Sequence, residues 1–151
     1  MTAEEMGRFE RELGCAFPDD YRRFVMQYGP GEFKEVSLRV PPPSRISATT
    51  EADRARLREY WFWDESPEIW TQAQAAESIA CFDGDGHDIR FHPSDPSNLY
   101  FLSRHEKVIY RCEGLAQVLA VISKYCNAVP SILTYATWGG EPGTSPNGGP
   151  A

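Results

Sequence analysis

The chain has 151 residues, 41% of them apolar and 13% aromatic, which is enough to bury one core and too apolar for wholesale disorder. Its net charge of -7 argues against the basic footprint a nucleic-acid binder needs, and no stretch approaches the ~20 apolar residues that span a bilayer. The opening residues, MTAEEMGRFE, have neither the basic region nor the apolar run of a leader, so the expected location is cytoplasmic.

Thr2 and Glu5 have capping-box spacing, and Met6, Phe9 and Leu13 share one helical face, which predicts a helix over Ala3 to Leu13. Gly14 closes it, because glycine adopts the left-handed conformation of a helix end at no steric cost. Pro18 opens a second helix, Asp19 and Asp20 occupy the first turn where the dipole favours negative charge, and Gly29-Pro30 stops it. Tyr21, Phe24, Val25 and Tyr28 have the spacing of its buried face. The two helices are expected to pack as a hairpin.

Leu13-Gly14, Phe17-Pro18, Asp19-Asp20, Phe24 and Tyr28-Gly29, taken together, resemble the SUKH superfamily. The likeness is strongest over Phe9 to Gly31 and continues more weakly to about Tyr125; Phe17-Pro18 stands where the family usually has Leu-Pro. The bacterial members of that superfamily are mostly immunity proteins that neutralise toxins, and its fungal members regulate cell-wall synthesis. The resemblance implies an α+β fold and a protein partner, a cognate toxin.

Further along, Val36, Leu38 and Val40 alternate with Ser37 and Arg39 as in a half-buried strand, which Pro41-Pro42-Pro43 ends. Thr50 and Asp53 mark a new helix start, with an apolar stripe to about Trp63. Tyr60-Trp61-Phe62-Trp63 places four aromatics in succession, which cannot all face one core from a helix. Either two are core and two cover a loop, or at least one tryptophan is exposed in a partner-binding patch. The segment from Pro67 to Ser78 is ambiguous, with Trp70 its anchor. Ile79 to Phe82, the turn Asp83-Gly84-Asp85-Gly86 and His87 to His92 read as a hairpin with Ile89 and Phe91 inward.

Pro93 to Asn98 reads as a loop, Leu99 to Leu102 as a central strand apolar on both faces, and Val108 to Cys112 as the next strand. Short connections between these runs imply antiparallel pairing. A helix over Leu115 to Tyr125 presents Leu115, Val118, Leu119 and Ile122 to the sheet. Ile132, Leu133, Tyr135 and Trp138 are candidates for one more docked element. The tail from Gly139 to Ala151 is too rich in glycine and proline to bury anything. The predicted architecture is a single α+β domain over residues 1–138 with a disordered tail over 139–151. A central, mostly antiparallel sheet is flanked by helices, and a helical hairpin lies at the N-terminus.

The acidity is concentrated in one segment. No Lys or Arg lies between Arg58 and Arg90, whereas Glu59, Asp64, Glu65, Glu68, Glu77, Asp83, Asp85 and Asp88 do, leaving 15 basic against 14 acidic residues elsewhere. Glu59, Trp61, Trp63, Asp64, Glu65, Glu68, Asp83, Asp85 and Asp88 therefore form the candidate partner-binding set. Carboxylates would steer a basic protein and aromatics would anchor it.

No catalytic constellation emerges. Asp83-Gly84-Asp85-Gly86-His87-Asp88 fails the calcium-loop pattern, since His87 holds the third ligand position and Ser94 the twelfth, so a hairpin turn explains it better. Cys81, His87, His92, His105 and Cys112 lack paired zinc spacing. The four cysteines are expected to be thiols, most of them buried, and the histidines to be surface or turn residues. No cofactor, metal, nucleic acid or membrane is implied. The rival readings are a metal-dependent hydrolase using Asp83, Asp85 and Asp88, and a non-catalytic regulatory scaffold.

Overall fold

The computed structural model describes residues 1–61, 63, 66–129 and 133–138. Helix α1 (Ala3–Leu13) carries the full capping box: the Glu5 amide donates to Thr2 Oγ1, and the Thr2 amide donates to Glu5 Oε2 at 2.9 Å. Gly14 ends it at φ 78°. Helix α2 (Asp19–Tyr28) follows, with Pro18 at its N-cap rather than its first turn. Glu10 ties the two together, accepting from the Phe17 amide at 2.7 Å and pairing with Arg22 at 3.2 Å. Tyr21 and Val25 are buried as expected, but Phe24 is only partly buried and Tyr28 is 51% exposed. The apolar stripe of α2 runs past the edge of the core at its C-terminal end.

Of the predicted strand over Val36 to Val40, Leu38 to Val40 is a strand, whereas Val36 ends a helical turn that a further short strand precedes. Strand β1 (Gly31–Phe33) leads into a 3-10 turn at Lys34–Val36, and β2 (Leu38–Val40) returns antiparallel to it. Ser37, at φ 52°, makes the reversal. The three prolines then start a helix rather than merely ending a strand. Pro42 is the N-cap and Pro43 the first residue of α3 (Pro43–Glu59), a position where a missing N–H costs nothing. The predicted start at Thr50 is therefore seven residues late.

Helix α4 (Gln72–Glu77) has its own capping box from Thr71 and Gln74. Strands β3 (Ile79–Gly84), β4 (His87–His92), β5 (Asp95–Ser103) and β6 (Val108–Cys112) form consecutive antiparallel pairs. Residues 95–98, expected in a loop, extend β5. Gly84 must be glycine, since a Cβ there would strike the His87 ring and the Ser37 carbonyl. Helix α5 (Leu115–Tyr125) has the predicted bounds, and Asp20 on α2 caps it by accepting from the Leu115 amide at 2.7 Å. Strand β7 (Tyr135–Thr137) completes the sheet by pairing antiparallel with β1.

The seven strands among the described residues run in the order β6-β5-β4-β3-β2-β1-β7, every pair antiparallel, and five α-helices flank them. The fold is α+β, as expected from the sequence. One face of the sheet packs against α2 and α5 around Phe82, Ile89, Phe91, Leu99 and Phe101. The other packs Tyr100, Leu102 and Ile109 against Leu57, Trp63, Trp70 and Ala75. Alternation along β5 thus feeds Leu99 and Phe101 to one core and Tyr100 and Leu102 to the other, as a strand covered on both sides requires. The tail over 139–151 and Ile132 lie outside the described residues.

Candidate functional site

Register places charge where α3 crosses the sheet. His87, Ile89 and Phe91 of β4 point to the α5 side, so Asp88 and Arg90 point to the α3 side. Asp83 sits opposite Asp88, and Arg39 opposite Asp83. Above them, Arg45, Thr49, Asp53 and Arg56 recur on α3 at intervals of three or four residues, the period of one helix face. The result is a cleft of about 330 Å³, with Arg39, Asp83 and Asp88 on the strand side, α3 on the other, and Arg104 at one end.

The cleft is held by ion pairs. Arg90 is wholly buried; its Nε donates to Ser78 Oγ at 2.6 Å, and its Nη1 lies 2.6 Å from Asp53 Oδ2 without the angle of a hydrogen bond. Asp88 is nearly buried and lies 3.5 to 3.7 Å from three guanidiniums, those of Arg56, Arg104 and Arg90. Arg39 donates from Nε to Asp83 at 2.6 Å and from Nη1 to Asp85 at 3.3 Å. The Ser37 hydroxyl, and then Arg39, hold the Asp85 carboxyl below the usual range. Arg45 is exposed, and its guanidinium has no ion pair among the described residues.

A second hollow, apolar and of about 230 Å³, continues the cleft past Arg56 and Arg104 to Leu57, Tyr60 and Trp63. The aromatic run lies beyond the end of α3, so helical periodicity does not govern it. Trp63 is buried, donating from Nε1 to the Ser103 carbonyl at 2.9 Å. Trp61 is partly buried against it with ring centroids 5.3 Å apart, and Tyr60 is 59% exposed. Gln72 fixes the connection by donating to the Leu57 and Arg58 carbonyls, both at 3.0 Å. Trp70 anchors it, stacked on Tyr100 at 4.1 Å.

The structure places the residues of the expected partner-binding set in different surroundings. Trp63 is a core residue, not an exposed anchor. Asp83, Asp85 and Asp88 are paired with arginines from outside the acidic segment. Glu59 and Glu68 are exposed; Asp64 and Glu65 lie outside the described residues. The arginines themselves escaped the sequence reading, although Arg45, Thr49, Asp53 and Arg56 form a helical stripe once α3 starts at Pro43.

Among the described residues, no group of three or more His, Cys, Asp or Glu is placed to hold a metal ion. His87, expected to be a surface or turn residue, directly follows the turn at Gly86 but is buried and stacked on Phe101 at 5.4 Å. Cys81 and Cys112 are buried, Cys15 is partly so and Cys126 is exposed, all as thiols. Burial pushes the Cys81 thiol far up and that of Cys112 up to about 11, which suits neither to nucleophilic chemistry.

A family model described as the SMI1 / KNR4 family (SUKH-1) matches residues 1–120, from the start of the chain into α5. The chain belongs to the SMI1/KNR4 (SUKH-1) family. This family includes immunity proteins, its members are generally non-catalytic, and membership points to a protein partner. No curated protein and no solved structure matches the chain. The matched span includes every strand of the sheet except β7 and all the residues of the charged cleft. No helix among the described residues is long and apolar enough to cross a membrane.

Proposed function

We propose that this SUKH-1 protein is an immunity protein that binds a cognate bacterial toxin, possessing nuclease or other activity, and blocks it by occupancy rather than by catalysis. Family membership carries the reading. The site chemistry agrees with it: Asp83, Asp85 and Asp88, the carboxylates a metal-dependent hydrolase would need, are engaged by arginines. The steering surface is the stretch from Glu59 to Glu68, whose two end carboxylates are exposed and which contains partly buried Trp61. A basic toxin would be drawn to it before contact.

The test is co-expression followed by kinetics. The gene is expressed beside the toxin encoded next to it, and survival of the host is scored with and without it. Binding of the purified pair is then followed at low and high salt. Glu59→Lys with Glu68→Lys is expected to slow association by ~10-fold at low salt and to flatten its salt dependence, with dissociation little changed. Absence of protection and of binding would overturn the immunity reading. Unchanged association would remove this stretch as the steering surface.

A further inference from the structure

Both hollows beside α3 share Arg56 and Arg104, so the surface offers a cationic pocket and an apolar pocket side by side. Charge in the cationic one is not balanced. Its lining holds four arginines, Arg39, Arg45, Arg56 and Arg104, against three aspartates, Asp53, Asp83 and Asp88, which leaves one positive charge in excess. The excess is located: among the described residues Arg45 has no carboxylate partner, and Arg104 reaches only a shared one at 3.6 Å. Exposed guanidiniums at a concave site present forked donors that match a carboxylate. A single excess charge, with three aspartates in the lining, favours a monoanion over a doubly charged phosphate.

We propose that this double pocket is the anchor site for a protein segment carrying a carboxylate next to a large apolar side chain. The carboxylate is received in the cleft that Arg45 and Arg104 line, and the apolar group lies over Leu57 and Tyr60. This rests on the reading that the chain binds a protein. It assigns the partner an acidic anchor, whereas the Glu59 to Glu68 stretch addresses the partner's basic field. Steering and anchoring then use surfaces of opposite sign.

Two measurements test it on the full chain. Amide-resolved NMR titration uses the capped dipeptide acetyl-Leu-Glu-amide, its neutral counterpart acetyl-Leu-Gln-amide, and AMP as a nucleotide probe. The acidic peptide is expected to shift Arg45, Thr49, Tyr60 and Arg104 and to bind ~10-fold more tightly than the neutral one, the scale of one charge-assisted hydrogen bond. Arg45→Ala with Arg104→Ala should abolish that difference while circular dichroism and melting stay unchanged, since both side chains are exposed. Equal binding of the two peptides, or shifts confined elsewhere, would overturn the proposal, and tighter binding of AMP would replace it with a nucleotide site. Because the peptides need no toxin, their selective binding would stand even if no toxin were neutralised. Toxin binding that is indifferent to the double arginine variant, with no peptide selectivity, would sink the anchor while leaving immunity intact.

Discussion

Arg90 Nη1 lies 2.6 Å from Asp53 Oδ2, and that arginine has no exposed surface. Its other close carboxylate, Asp88, is 3.7 Å away and shared with Arg56 and Arg104. Removing Asp53 would leave a buried cation without its short partner. Asp53→Ala is therefore expected to cost ~3 to 5 kcal/mol in urea denaturation, whereas Asp53→Leu combined with Arg90→Met should recover most of the loss. A cost under about 1 kcal/mol for Asp53→Ala would mean that the pair does not hold α3 to the sheet.

Trp63 joins the second core through both its ring and its Nε1–H bond to Ser103. Trp63→Ala is expected to lose ~3 to 5 kcal/mol, and Trp61→Ala distinctly less because that ring is only partly covered. Chemical denaturation followed by far-ultraviolet circular dichroism decides it. An unchanged midpoint for Trp63→Ala would return this residue to the surface.

Tyr135 on β7 packs edge-on against Phe24 with centroids 4.7 Å apart, lies 4.9 Å from Phe33, and donates from its hydroxyl to the Gly29 carbonyl at 2.7 Å. Tyr135→Phe should cost ~1 kcal/mol for the hydrogen bond, and Tyr135→Ala ~2 to 3 kcal/mol for a partly buried ring. Phe24→Ala should resemble the latter, while half-exposed Tyr28 should lose under ~1 kcal/mol as alanine. Equal costs for Phe24→Ala and Tyr28→Ala would contradict the observed edge of the core.

Burial lowers the His87 pKa below the ordinary histidine value, against the opposing pull of Asp88. The neutral ring is the form that fits the fold, so below about pH 6.5 the unfolded chain binds the proton more readily. Stability should therefore fall as pH drops from that value toward the lowered one, and the decline should be shallower in His87→Gln. Identical pH profiles for the wild type and His87→Gln would show that another group governs the acid limb.

The parts of the fold legible in the sequence are those with local causes. The capping box at Thr2, the glycine stop at Gly14 and the short strands and turns through Ile79 to Cys112 act within a few residues, and these elements appear as expected apart from the start of β5, which lies in the predicted loop. The start of α3 was obscured because three prolines suit a strand end and a helix start equally well. Trp63 was illegible for a different reason: its partner, Ser103, lies forty residues away on β5. The candidate site was legible only in its acids. The arginines that neutralise Asp83, Asp85 and Asp88 come from β2, α3 and the turn before β6, and only the folded sheet brings them together.

Among the described strands, neighbours from β6 to β1 are also neighbours in sequence order, and β7 alone returns from beyond α5 to pair with β1. During synthesis, the outer edge of Gly31 to Phe33 must wait, with its ladder groups unpaired, until the chain has been made through Thr137. An open edge of that kind invites pairing with other nascent chains. Glu32, whose carboxylate pairs with Lys34 at 3.3 Å, places charge on that waiting strand. The sheet is thus sealed only once Tyr135 to Thr137 has been made, and a premature stop before Tyr135 would yield a chain with its strand edge permanently open.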